Sequence, residues 1–201
     1  MQEAEKRAGL TIEAARRIKL ATDELYQRKK VVNRTIVVKV DNEDFSPNPE
    51  ALVDVKIKLI DDQLLLSVKC GSWHGDMVRH EYEVNFYRSD LGNLLTILKI
   101  FGHSRFIILE ATRTIWTTNI LIITLDEYYE IGKALFEVEL EDFETGAEEA
   151  INQVFASLGL TPMNSERTID FIGSLNSAKE IQVDLDRLEP VDLARKLLSG
   201  N

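Results

Sequence analysis

The stretch ITLDEYYEIGKALFEVELE, residues 123–141, decides the fold. Its second half alternates: Phe136, Val138 and Leu140 are apolar, whereas Glu137, Glu139 and Glu141 are acidic. Residues two apart share one face of a strand. Residues 135–141 therefore predict a strand with one apolar wall and one wall of carboxylates, opened by Leu135. A strand over residues 119–126 precedes it, apolar on both faces until Asp126 closes it.

Working outward, the period of two recurs upstream. Residues 53–59 set Val53, Val55, Ile57 and Leu59 against Asp54, Lys56 and Lys58. Residues 64–69 set Leu64, Leu66 and Val68 against Leu65, Ser67 and Lys69. Residues 79–86 set His80, Tyr82, Val84 and Phe86 against Arg79, Glu81, Glu83 and Asn85. Residues 34–40 and 105–113 read as further strands. Helices are expected over residues 12–28, 91–101, 147–158, 165–175 and 190–198. The first follows Thr11 as N-cap, with Ala14, Ile18, Ala21 and Leu25 on one side. The third has a Thr145/Glu148 capping box and ends at Gly159, and the last opens on Pro190. Strands of this kind with helices at the start, middle and end make an antiparallel α+β chain.

The polar faces are segregated by strand. Two carry Lys, one carries Arg with Glu, and one carries only Glu. Such faces either look at solvent, pairing weakly across strands, or point into a closed barrel. A lumen with cations on one wall and carboxylates on another is costly unless filled. The natural filler is a polyanion bridged by divalent cations, which hard carboxylate oxygens hold well.

Composition bounds the alternatives. The length, 201 residues, with few Pro and Gly and no linker, fits a single domain. Lys plus Arg is 24 and Asp plus Glu is 34, a net charge of −10, which argues against bulk nucleic acid or an anionic membrane as partner. A lone Cys70 excludes an intramolecular disulfide and a multi-cysteine zinc site, and fits a reducing, cytoplasmic setting. Residues 1–20 lack the apolar core of a signal peptide, and the apolar run 120–125 is too short to span a bilayer. No GxxxxGK[ST] occurs, and no GxGxxG follows a strand. His74, His80 and His103 lack paired ligand spacing, and Cys70 near His74 reads as an inert thiol. Trp73, between Gly71 and Gly75, reads as a hairpin tip that either stacks on a base or caps the core.

The quoted stretch resembles the final signature of the CYTH superfamily, the triphosphate tunnel enzymes. That signature has a Leu-Asp pair, then Gly, then an aromatic or aliphatic residue and Glu-x-Glu; here these are Leu125, Asp126, Gly132, Phe136, Glu137 and Glu139. Residues 113–116 (RTIW) resemble the family's basic strand. VKIK at 55–58 sits where the family has Leu-Arg-Ile-Arg, LSVK at 66–69 where it has Leu-Thr-Leu-Lys, and RHEYE at 79–83 where it has Arg-x-Glu-x-Glu. KVDN at 39–42 falls at the Tyr-Phe-Asp-Thr position. The family's N-terminal Glu-x-Glu-x-Lys has two counterparts. One is Glu3-Ala4-Glu5-Lys6-Arg7, with Arg for Lys and poor strand character; the other is TIVVK at 35–39, which keeps only the Lys.

The resemblance implies an antiparallel eight-stranded β-barrel with flanking helices, the barrel over about residues 1–142 and C-terminal helices over about 145–201. It implies a phosphate clamp of Lys56, Lys58, Lys69, Arg79 and Arg113. It implies Mg²⁺ or Mn²⁺ on Glu137 and Glu139, joined by Glu3 and Glu5, with Glu81, Glu83 and Asp126 as further ligands or holders of the attacking water. Arg7, Lys58 and Arg113 would act in catalysis, Arg7 standing for the family Lys. The substrate would be a small-molecule triphosphate: inorganic, nucleoside or thiamine triphosphate. A class IV type adenylate cyclase and a non-catalytic polyphosphate or nucleotide binder are the alternatives. A homodimer is one way to bury the stripes of the first and last helices.

Overall fold

The computed structural model describes residues 2–40, 53–60, 63–70, 79–140, 147–177 and 182–199. The first element is a strand, β1 (Gln2–Thr11), which runs directly into α1 (Ile12–Leu25). Thr11 serves both, because its extended backbone ends the strand while its side chain accepts from Ala14 N at 3.2 Å. There follow β2 (Arg28–Val40), β3 (Val53–Ile60), β4 (Gln63–Cys70), β5 (Arg79–Phe86), α2 (Leu91–Ile100), β6 (Arg105–Thr117), β7 (Leu121–Tyr128) and β8 (Lys133–Leu140). The chain ends in α3 (Ala147–Ser157), α4 (Ser165–Asn176), β9 (Gln182–Asp184) and α5 (Pro190–Ser199). Gly132, at φ 70°, makes the left-handed turn residue between β7 and β8 that a side chain would resist.

The expected antiparallel α+β architecture is present. The strands form a nine-stranded sheet in the order β2-β3-β4-β5-β1-β8-β7-β6-β9, and β2 also pairs with β6. β1 joins the two halves. It meets β5 through Gln2↔His80 and Glu3↔Arg79, and β8 through a register that includes Glu5↔Glu139 and Arg7↔Glu137.

One face of the strands is covered by helices. Under α1 and α3, the residues Trp116, Ile123, Leu125, Phe136 and Val138 pack with Ile151, Val154 and Phe155. The rings of Phe136 and Phe155 meet edge to face at 5.7 Å. Under α2 and α5, the residues Ile36, Val38, Ile57, Leu59 and Phe106 pack with Leu91, Leu95, Leu193 and Leu197. Each such side chain contributes about 1.5–3 kcal/mol by leaving water, which fixes the register and turns the alternate residues to the opposite face.

Four expectations are corrected. Residues 2–11 are a strand despite their charge, and residues 35–39 lie within β2. β2 starts at Arg28 and β6 runs on to Thr117, because the two pair along their length. β9 is three residues of ladder against β6 that no periodicity announces. In α1 the buried positions are Ala15 and Thr22, and Leu25 is exposed. Polar ties set that rotation: Trp116 Nε1 donates to Asp23 Oδ1 at 2.8 Å, and Lys19 Nζ donates to Glu127 Oε2 at 2.8 Å. No described helix is long and apolar enough to cross a membrane.

Candidate functional site

The face opposite these helices carries the charge. On β1 and β8 the ladder sets Arg7 against Glu137 and Glu5 against Glu139. Arg7 Nε donates to Glu137 Oε2, and Arg7 Nη2 lies 2.6 Å from Glu5 Oε2. Glu5 is buried, and its Oε2 accepts no hydrogen bond of good geometry despite that ion pair. Glu5, Glu137 and Glu139 each offer an oxygen within 4.8 Å of the others.

The next strands add cations. Lys58 Nζ on β3 donates to Glu81 Oε1 at 2.9 Å and to Glu83 Oε1 at 2.8 Å on β5. Between them on β4, buried Ser67 donates to Glu81 Oε1 at 2.5 Å. Lys69 Nζ lies 3.3 Å from Glu81 and 3.9 Å from Glu5, linking β5 to β1. Lys56 pairs with buried Asp54 on its own strand at 2.8 Å. Across the site, Arg113 on β6 grips Asp126 on β7 with two bonds of 2.6 Å, the forked geometry a guanidinium favours.

Burial works against the charges of Arg7, Arg113, Lys58 and Glu137, and their partners outweigh it. It pulls the Arg7 pKa down, but Glu137 and then Glu5 leave it raised. Arg113 is raised by Asp126, and Lys58 by Glu81 and Glu83, against the same penalty. Burial would push Glu137 up, yet Arg7, Lys69 and Arg113 together hold it at about 2. Tyr128 is the opposite case. Burial first, then the Asp126 charge, pushes its phenol well up, so it stays neutral among ions.

The site face changes character along β6, β7 and β8. Beyond Arg113, Asp126 and Glu137 it becomes apolar, with Ala111, Tyr128 and Leu135 packed on Leu175, Phe171 and Ile172 of α4. Met163 N donates to Arg7 O at 2.7 Å, Lys133 Nζ donates to Ser174 Oγ at 2.5 Å, and a Cβ on Gly9 would meet Phe171 at 2.3 Å. α4 therefore covers the apolar end and leaves the charged end beside it.

Of the expected site residues, the structure brings Glu5, Arg7, Lys58, Lys69, Glu81, Glu83 and Glu137 into one ion-paired chain, with Glu139 beside it. The field of Arg113 reaches Glu137 and ties in Asp126, while Lys56 pairs with Asp54 on its own strand. Glu3 and Arg79 face each other in the β1–β5 register, and their side chains, like Trp73 and His74, lie outside the described residues. Ser67 and Asp54 lie on the predicted polar faces but were given no role there, and Tyr128 is a site-face residue that was not predicted. Tyr128 is two residues beyond Asp126, so extending β7 by one period finds it.

No protein-family model and no curated protein matches this sequence. Solved structures do. PH1012 from Pyrococcus horikoshii aligns at a TM-score of 0.58 and 17% identity, over 82% of this chain and 98% of that one. A candidate adenylate cyclase from Vibrio parahaemolyticus aligns at 0.55 and 17%, over 83% and 96%. HpAC1 from Hippeastrum, a candidate adenylyl cyclase described as having a dominant triphosphatase activity, aligns at 0.52 and 16%, over 81% and 90%. The chain shares the fold of these solved structures, which is consistent with the fold that the CYTH resemblance implies. At these identities the fold is what is shared. Of the two strands weighed for the CYTH Glu-x-Glu-x-Lys motif, β1 is the one beside the Glu-x-Glu of β8, and it presents Glu5 and Arg7 to the site.

Proposed function

We propose that the chain is a metal-dependent hydrolase of a triphosphate, whether inorganic, nucleoside or thiamine triphosphate. The β2–β6 pairing is read as closing β1–β8 into an eight-stranded tunnel around the charged face. One observation carries the proposal. Cations from β1, β3 and β4 and carboxylates from β1, β5 and β8 converge in a single buried network. Two chemistries fit such a set together: phosphate oxygens on the cations and a hard cation on the carboxylates.

In this reading Glu5, Glu137 and Glu139 hold Mg²⁺ or Mn²⁺, with Glu3 beside them on β1. The buried Glu5 oxygen, which accepts no well-formed hydrogen bond beyond its ion pair with Arg7, and the all-oxygen donor set fit such an ion. When bound, the ion supplies Lewis-acid neutralisation of phosphate charge. Lys56, Lys58, Lys69, Arg79 and Arg113 bind the phosphate oxygens and orient the terminal phosphorus in line with its leaving oxygen. Glu81, Glu83 or Asp126 accepts a hydrogen bond from the attacking water and positions it. Water attacks the terminal phosphorus and gives up a proton to one of these carboxylates, the bridging P–O bond breaks with its electron pair going to the diphosphate leaving group, and orthophosphate and the diphosphate unit are released. Tyr128, held neutral, is a donor for a phosphate oxygen.

The test is orthophosphate release from tripolyphosphate, ATP and thiamine triphosphate with Mg²⁺ or Mn²⁺. Turnover is expected on at least one of them, and Glu137→Ala should lower it by about a hundredfold or more, the scale seen when a key charge-stabilising group is lost. No release from any of the three would overturn the hydrolase reading. Cyclic AMP and diphosphate from ATP would favour the cyclase suggested by the Vibrio relative. Binding without turnover would favour a polyphosphate-binding module.

A further inference from the structure

We infer that Arg7 is a built-in competitor for the metal: its guanidinium bridges the carboxylates that would receive the ion and has to swing away before one enters. The inference rests on the proposed metal dependence and goes beyond it, because it concerns what this chain places in the site beforehand.

The geometry is specific. Arg7 stands directly opposite Glu137 in the β1–β8 ladder and engages Glu137 through Nε and Glu5 through Nη2 at 2.6 Å. Glu139, the third carboxylate of the cluster, adds its field to the same guanidinium. A guanidinium carries donors in a planar fork and can bind two carboxylates at once through different nitrogens. A lysine ammonium can also touch two carboxylates, as Lys58 does, but only from one nitrogen and without the planar fork that spreads the contacts over separate donors. Arg in place of the CYTH Lys is therefore not a neutral exchange. Glu5 and Glu137 are bridged in advance by one side chain, with Lys69 and Arg113 adding their fields to Glu137, and an incoming ion must break two charge-assisted contacts. The backbone does not need to move, because Arg7 O is fixed by Met163 N at 2.7 Å while the side chain rotates. Once displaced from the carboxylates, the Arg7 guanidinium would lie within the charged site and could meet a phosphate oxygen.

The experiment is Mn²⁺ binding, without substrate, to the full chain and to the Arg7→Lys and Arg7→Gln variants. Free Mn²⁺ is read by electron paramagnetic resonance, and folding by circular dichroism. Both variants should bind Mn²⁺ more tightly than the wild type, Arg7→Gln by about tenfold or more, since charge-assisted contacts no longer compete. Arg7→Lys keeps the positive charge, so it stays informative if the Gln variant fails to fold. As a second readout, Mg²⁺ titration of the wild type should shift the Arg7 Nε–Hε resonance out of its hydrogen-bonded position. Mn²⁺ affinity equal to or weaker than wild type in the folded variants, or an Arg7 resonance indifferent to Mg²⁺, would overturn the competitor role while leaving metal dependence intact. No Mn²⁺ binding by any of the three proteins would remove the metal reading itself, and this inference with it.

Discussion

Glu137 is held charged by three cations from three strands, Arg7 on β1, Lys69 on β4 and Arg113 on β6, against the penalty of burial. The sign of the linkage follows. Its folded pKa lies near 2 against an ordinary 4.5, so its contribution to stability is complete above about pH 4.5 and is lost as pH falls toward about 2. The melting temperature of the wild type should therefore exceed that of Glu137→Gln most near neutrality, with the gap shrinking between pH 4.5 and 2. A gap that stays constant over that range would mean the carboxylate is not stabilised by these partners. At this scale much of the site was legible. Period-two alternation places Lys56, Lys58, Lys69, Glu81, Glu83, Glu137 and Glu139 on the polar faces of their strands, and the structure joins Lys58, Lys69, Glu81, Glu83 and Glu137 in one network with Glu139 beside Glu137. Ser67 sat on the same predicted face as Lys69 but carries no charge to mark it. Tyr128 was hidden because the predicted strand stopped at Asp126, and the mixed stretch EYYE beyond it has no clean alternation to carry the strand on.

Among the elements, β1 was the hardest to read and matters most. Its sequence, QEAEKRAGLT, sets Ala4, Ala8 and Leu10 against Glu3, Glu5 and Arg7, but Lys6 interrupts the apolar face and two of its three apolar residues are small, so the contrast that betrays a strand is weak. Lys6 finds its partners on α3, donating to Glu148 and Asn152, which leaves the opposite face to the site. What makes β1 a strand is its ladder with β8, a tertiary cause invisible to local pattern. Helix α4 shows the same limit. Its boundaries follow from its sequence, with Asn164 capping Arg167 N, but its docking on the site face does not. That docking needs Gly9. Replacing Gly9 with Ala puts a carbon 2.3 Å from the Phe171 ring, inside contact distance, and should cost about 1–3 kcal/mol in urea unfolding. A double-mutant cycle with Phe171→Ala should show strong coupling. Simple additivity would place α4 elsewhere.

Across the whole molecule, acidity and function are reconciled by segregation. A net charge of −10 repels polyanions in general, so a triphosphate must be met by the local cluster of Lys and Arg. With Mg²⁺ and tripolyphosphate at about a hundredfold above their apparent Kd, the melting temperature should rise by roughly 5–10 °C. Lys58→Ala combined with Lys69→Ala should abolish that rise. An unchanged rise in the double variant would locate the anion elsewhere. The long ladder of β1 with β8 bears on how the chain is made, as well as on what it binds. Residues 4–11 have to wait for residues 133–140 to leave the ribosome, roughly ten seconds or more at ordinary elongation rates. Meanwhile a nascent strand stands ready with no mate. Its four charged residues, Glu3, Glu5, Lys6 and Arg7, discourage it from zipping onto the wrong neighbour, so the composition that obscured β1 as a strand also guards it during synthesis.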